Sequence, residues 1–182
     1  MTDVYAHSGL PAEALVPRDA AEECPEVARE RLITYVELLF FAYRDFTGEA
    51  DAVLAEFGFG RAHHRVLHFV NRHPGLRIAD LLDILKITKQ SLARVLKQLV
   101  NRGYILQQAG ADDRRERRLY LTAKGRELAE KLAQLQCARV AAALANAGEG
   151  AGAETRRFLA SMISKEERSR IEELIFGTGS RP

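Results

Sequence analysis

Apolar positions first fall into a regular pattern after Pro25. Ala28, Leu32, Tyr35, Leu39, Ala42 and Phe46 recur at spacings of 4, 3, 4, 3 and 4, one face of a helix. Val36, Phe40 and Tyr43 form a second apolar stripe. A helix apolar on two sides needs a second surface to bury against, which a second subunit would supply. A short acidic helix is expected over residues 49–57, with Gly58 and Gly60 breaking the chain. Residues 61–72 predict a further helix with Val66, Leu67, Phe69 and Val70 inward, ended by Pro74-Gly75. Residues 78–85 predict a short helix with Ala79, Leu82 and Leu85 inside, and Lys86-Ile87 a turn.

The next segment is the most regular. Thr88 has the hydroxyl an N-cap needs, Leu92, Val95, Leu96 and Leu99 form a buried face, and Gly103 sits where a left-handed C′ residue belongs. A helix over residues 88–102 leaves Lys89, Gln90, Ser91 and Arg94 facing outward near its N-terminal end. Residues 104–108 and 117–121 alternate as paired strands around a loop. Thr122 caps a long helix to about residue 146, a Gly/Ala-rich break covers 147–153, and residues 154–163 are helical. Ser164-Lys165-Glu166-Glu167 reads as a capping box before a last helix carrying Ile171, Leu174, Ile175 and Phe176. The fold class is mainly α with a small β-hairpin wing: a winged helix-turn-helix lobe plus a helical dimerisation region. The expected division is a mobile tail (1–25), a dimerisation helix and connector (26–58), the winged lobe (59–122) and C-terminal dimerisation helices (123–182).

Charge sharpens this picture. The chain of 182 residues has a formal net charge of only +2, yet residues 1–58 hold 4 basic and 12 acidic residues, while residues 86–118 hold 9 basic and 3 acidic. The positive excess coincides with the outward-facing helix and the hairpin, where a phosphate backbone could be met. Asp112 to Arg118 pack four arginines and three carboxylates into seven residues. Arginine on a narrow hairpin can enter the minor groove, where the potential is most negative over A·T tracts. Asp113, two residues before Arg115, is spaced to hold that guanidinium in one pose, and Arg114, Arg117 and Arg118 can meet phosphates. In a helix-turn-helix the second helix presents its N-terminal residues to base edges. Gln90 suits adenine and Arg94 guanine, while Thr88 and Ser91 can hold phosphates and Lys89 lies beside them. The partner implied is double-stranded DNA. The acidic residues 1–58 leave open another reading, a dimeric protein-interaction adaptor whose wing is idle.

The sequence holds no Gly-rich phosphate loop, nucleophile elbow or zinc-protease helix, and Asp112-Asp113 among arginines suit ion pairing better than acid–base work. No enzyme activity, cofactor or metal is expected. No apolar run approaches the roughly 20 residues of a membrane helix, and no secretory signal precedes the first helix, so a cytoplasmic protein without membrane contact is expected.

Two segments together, Asp113 to Gly125 (DRRERRLYLTAKG) and LLDILKITKQSLARVLKQLVNRGYI, resemble the MarR family of bacterial winged-helix regulators. The first resembles the family's D-x-R wing followed by an L-T-x-x-G helix start, and the likeness runs from about Glu26 to Phe176. The resemblance implies a triangular homodimer in which the first and the last two helices interlock across a two-fold axis. Each subunit would present a recognition helix (88–102) and a wing (109–118) to half of a pseudo-palindromic operator. By position, Ser91 and Arg94 match groove-facing sites, and Asp113 and Arg115 the wing tip. Three departures stand out: Lys86 where a turn glycine or asparagine is frequent, Arg77 where a Ser or Thr cap is usual, and His63-His64 in place of a polar-aromatic pair.

Family members respond to small aromatic acids, oxidants or metals, which implies a small-molecule effector here. Tyr35, Tyr43, His64 and His68 are the candidates to line a pocket. His64 and His68 stand at i, i+4 as a metal pair would, without a third ligand at close spacing. Cys24 does not match the reactive cysteine of the peroxide-sensing branch, and Cys137 is expected to be packed. A redox- or metal-responsive member of the same family is the alternative.

Overall fold

The structure is a computed structural model and describes residues 25–110 and 116–177. The expected tail, Cys24 and the wing-tip residues Asp113, Arg114 and Arg115 lie outside the described residues. The elements run α1 (Pro25–Glu56), α2 (Arg61–Arg72), β1 (Leu76–Arg77), α3 (Ile78–Leu85), α4 (Lys89–Asn101), β2 (Ile105–Ala109), β3 (Arg117–Leu121), α5 (Ala123–Ala147), α6 (Ala151–Met162) and α7 (Lys165–Phe176). This is a mainly helical winged helix-turn-helix fold with a small antiparallel sheet. The chain divides into an N-terminal unit ending at Asp45 and a C-terminal unit beginning at Phe46.

In the N-terminal unit, α1 exposes Leu32, Val36, Phe40, Phe41 and Tyr43. These residues include much of the two-stripe pattern, and all are large and apolar.

α1 does not end before residue 49. It runs unbroken through Gly48 to Glu56, so the separate helix expected over residues 49–57 is its last two turns. Ala50 and Leu54 are fully buried. Burying one leucine side chain contributes about 1.5–3 kcal/mol, whereas one glycine inside a helix costs about 1 kcal/mol. Continuation therefore wins, and the break falls at Gly58, with φ +60°.

The C-terminal unit is built around a core that includes Val66, Leu67 and Val70 of α2, Leu81 and Leu85 of α3, Leu92, Val95, Leu96 and Leu99 of α4, Ile105, Leu119 and Leu132. The inward face of α3 differs from expectation: Leu81 is fully buried, Leu82 half-buried and Ala79 exposed. An eight-residue helix makes little more than two turns, too few for periodicity to choose among the apolar residues of IADLLDIL. The sheet has the order β1-β3-β2, with both pairs antiparallel. β2 and β3 pair from Ile105 with Leu121 to Ala109 with Arg117, and β1 adds Leu76 opposite Leu119. A two-residue strand has no alternation, so β1 carries no sequence signal.

The start of α5 is locked onto the turn after α4. Thr122 Oγ1 accepts the N–H of Gly125 at 3.0 Å and donates to the carbonyl of Gly103 at 2.7 Å, while the carbonyl of Tyr104 accepts the N–H of Thr122 at 3.1 Å. A Cβ on Gly125 would stand 2.0 Å from the Tyr104 carbonyl oxygen. This contact gives the T-x-x-G helix start its physical reason. Cys137 of α5 is exposed rather than packed, because the buried face of α5 is confined to its first turns, at Gly125, Leu128, Ala129 and Leu132.

α6 begins at Ala151, three residues earlier than expected, after a break over residues 148–150. Arg168 reaches back from α7 and donates to the carbonyls of Ser161 and Ile163, at 3.0 and 3.1 Å, closing the end of α6. Ser164 is the N-cap of α7 but makes no side-chain cap bond. The expected capping box does not form because its glutamate, Glu167, is taken by Arg170 and Lys86.

Gly125→Ala tests the α5 contact. Helix propensity alone would make this change stabilising by about 1 kcal/mol. The clash with the Tyr104 carbonyl reverses the sign, and overpacking should lower stability by about 1–3 kcal/mol. Urea unfolding followed by circular dichroism reads the sign directly; a more stable variant would contradict the close approach.

Candidate nucleic-acid interface

The outer face of α4 follows from its inner one. With Leu92, Val95, Leu96 and Leu99 buried, the helical period leaves Lys89, Gln90, Ala93, Arg94, Lys97 and Gln98 exposed. Thr88 caps the helix as expected. Its Oγ1 accepts the N–H of Ser91 at 3.1 Å and donates to Ser91 Oγ at 3.0 Å. The Ser91 hydroxyl thereby accepts a hydrogen bond that holds it in place, and its own proton is left to donate outward. Four of the sequence candidates, Lys89, Gln90, Ser91 and Arg94, thus lie within the first two turns of α4, with Thr88 at its head. None of α4's first-turn residues is acidic, so the partial positive charge of the helix N-terminus adds to Lys89 and Arg94.

The turn before α4 is formed by Lys86 in the left-handed region, φ 51° and ψ 44°, followed by Ile87. Arg77, at the head of α3, uses its guanidinium on the Asp80 carboxylate at 2.6 and 2.7 Å rather than as a backbone cap.

The wing hairpin is described up to its base. Gly110 N–H donates to the carbonyl of Glu116 at 3.0 Å. Glu116 sits between two arginines, 2.8 Å from Arg118 Nε and 3.7 Å from Arg77 Nη1. Arg118 is therefore engaged at the wing base, while Arg117, on the opposite side of β3, is exposed.

Sequence reasoning missed how the far end of α4 is held. His63 stacks on Phe59 with ring centroids 4.7 Å apart. Its Nδ1 accepts the Gly60 N–H at 3.1 Å, so Nε2 carries the proton and donates to Gln98 Oε1 at 2.5 Å. One imidazole thus caps α2 and grips α4. The Arg102 guanidinium lies 4.4 Å from the Phe59 ring centroid and donates to the Phe57 carbonyl. The legible signal was the G-x-x-H spacing at the start of α2, which places a side-chain acceptor three residues after an N-cap.

The effector candidates are spread over both units. Tyr35 and Tyr43 are exposed residues of α1 in the N-terminal unit. In the C-terminal unit His64 is buried and His68 exposed. Two clefts of that unit are lined by other residues. One, of about 600 Å³, runs between α3, α4 and β2 past Ala79, Leu82, Lys89 and Lys97. The other, of about 1010 Å³, lies between α3 and α7, with Phe69, Ile84, Ile163 and Leu174 among its walls. Among the described residues no group of three His, Cys, Asp or Glu side chains could hold a metal ion, and no helix is long and apolar enough to cross a membrane.

Helix, turn, outward-facing basic helix and paired wing strands define a winged helix-turn-helix protein. A MarR family model matches residues 57–116, from the end of α1 to the base of the wing. The chain is 43% identical over 145 residues to the HTH-type transcriptional regulator PetP of Rhodobacter capsulatus, covering 80% of this chain and 87% of PetP. Among solved structures it is similar to a SlyA-like transcription regulator from Listeria monocytogenes (19% identity, TM-score 0.57, 80% of this chain and 95% of that one). It is similar also to NadR in complex with 4-hydroxyphenylacetate (21% identity, TM-score 0.55, 81% and 97%). The chain belongs to the MarR family of transcriptional regulators.

Burial lowers the pKa of His64 below its ordinary 6.5, and nearby Asp51 only partly opposes the shift. A folded state that resists protonation is at full strength above the unfolded pKa and weakens as pH falls through 6.5 toward the folded value. Stability of the parent should therefore drop between pH 7 and pH 5 more than that of His64→Gln. Parallel denaturant titrations at both pH values check this; equal slopes would contradict the burial cost.

Proposed function

We propose that the protein is a sequence-specific DNA-binding regulator that grips a pseudo-palindromic operator as a homodimer. The recognition helix (88–102) enters the major groove and the wing (109–118) the minor groove. The carrying observation is the outer face of α4, where Lys89, Gln90, Ser91 and Arg94 are presented together by a helix whose other face is core. Arg94 and Gln90 read base edges, Thr88, Ser91 and Lys89 meet phosphates, and Asp113 orients Arg115 at the wing tip, flanked by Arg114 and Arg117. The exposed apolar stripe of α1 is the surface a second copy covers.

The reading extends to a small-molecule effector. NadR, which shares the fold, is described in complex with 4-hydroxyphenylacetate, so a small aromatic acid is the first compound to try. Tyr35, Tyr43, His64 and His68 are the proposed contacts. Such a ligand acts only by preferring one separation of the two recognition helices over another.

Fluorescence anisotropy on duplexes tiling the DNA upstream of the gene, against a shuffled control, tests the proposal. Tight binding to one tile at two chains per duplex is expected, with affinity falling about 0.9 log unit per log unit of salt for each phosphate neutralised. No binding at low salt would favour the adaptor reading instead. Arg115→Ala should weaken the selected duplex about tenfold or more while leaving the dimer intact, as loss of a groove contact of about 1–3 kcal/mol requires. Arg94→Ala should relax base preference at one position of each half-site; a uniform loss on every sequence would make Arg94 a phosphate contact.

A further inference from the structure

Lys86 is the one non-glycine residue with positive φ among the described residues. It stands in the turn between α3 and α4, where glycine would adopt the same backbone without strain. What lysine adds is its side chain. Nζ lies 2.7 Å from Asp83 Oδ1 and 3.2 Å from Glu167 Oε1. Arg170 in turn pairs with the other oxygen of Asp83 and meets Glu167 Oε2 at 2.7 Å. The four groups close a ring of alternating sign, two from the helix-turn-helix and two from α7. Lys86 and Glu167 are 81 residues apart in the chain. The ring lies at the rim of the cleft between α3 and α7.

A lone exposed ion pair contributes little. This one differs in being closed on itself and in ending on the residue that sets the direction of α4. Glu167 also forgoes the local capping role its position offers. From this geometry we infer that α7 holds the helix-turn-helix turn in place, so that Glu167 and Arg170 are positioning residues for DNA reading, acting through Asp83 and Lys86. The inference rests on the reading of α4 as the recognition helix.

The sign of one substitution separates this role from plain electrostatics. Glu167→Gln removes a negative charge, which by itself raises or leaves unchanged the affinity for DNA. Positioning requires the opposite. On the tightest duplex of the tiled set, Glu167→Gln should lower affinity about threefold to tenfold, in the range of coupling between contacting residues. Affinity for a random duplex should stay within about twofold, so the ratio of the two falls. In a Lys86→Gln background the same change should cost clearly less than in the parent, because the direct contact with Lys86 is already cut and only the route through Arg170 and Asp83 remains. Arg170→Gln should repeat the loss of ratio. Unchanged or tighter operator binding by Glu167→Gln, or additive losses in the double variant, would overturn the inference. A parent protein that binds no duplex would overturn the DNA-binding reading itself, and with it this one.

Discussion

The backbone of Tyr104 is the point on which the winged lobe turns. Its N–H donates to the carbonyl of Leu99 at the end of α4, and its own carbonyl accepts from Thr122 at the head of α5. Its ring is buried and meets Phe57 and Phe59 edge-on, at 6.5 and 5.2 Å. Gly125 can lie against that carbonyl only because it lacks a Cβ. One residue therefore fixes where α4 stops, where the sheet starts and where α5 leaves. The wing strands follow from that choice, since Ile105 enters the sheet opposite Leu121.

The two ends of α4 are held differently. At the C-terminal end the grip is made by hydrogen bonds and ring contacts: His63 on Gln98, Arg102 on a carbonyl and an aromatic ring, and the Thr122 hydroxyl on Gly103. At the N-terminal end it is made of ion pairs, the ring of Lys86, Asp83, Arg170 and Glu167. Neutral hydrogen bonds and ring contacts respond little to salt, whereas exposed charge pairs are screened over about 10 Å at 0.1 M. The end that carries Lys89, Gln90, Ser91 and Arg94 is thus the end whose support depends on ionic conditions.

Much of this was legible in the sequence where one signal acted alone. The α4 face was readable because four apolar residues, a threonine cap and a terminal glycine agree on one helix. The paired strands were readable from alternation beside a charged loop. The failures share a cause: a local pattern yielded to a contact distant in sequence. Residues 49–57 read as a separate helix until Ala50 and Leu54 are known to be buried. Ser164 and Glu167 read as a capping box until Lys86 and Arg170 claim the glutamate. Leu81 could not be told from Leu82 in so short a helix, and β1 exists only because β3 lies beside it. Candidates on the α4 face could be named from pattern alone, while Gln98, His63 and Arg102 needed the tertiary fold to show what they hold.

The apolar stripe of α1 carries a thermal consequence. Removing such surface from water lowers the heat capacity, and near room temperature the driving force is almost entirely entropic. A second copy covering Leu32, Val36, Phe40 and Tyr43, as proposed, would therefore hold them least firmly in the cold. A regulator assembled through that stripe would loosen on chilling as well as on heating. Its competence would then span a band of temperatures with a lower edge as well as an upper one.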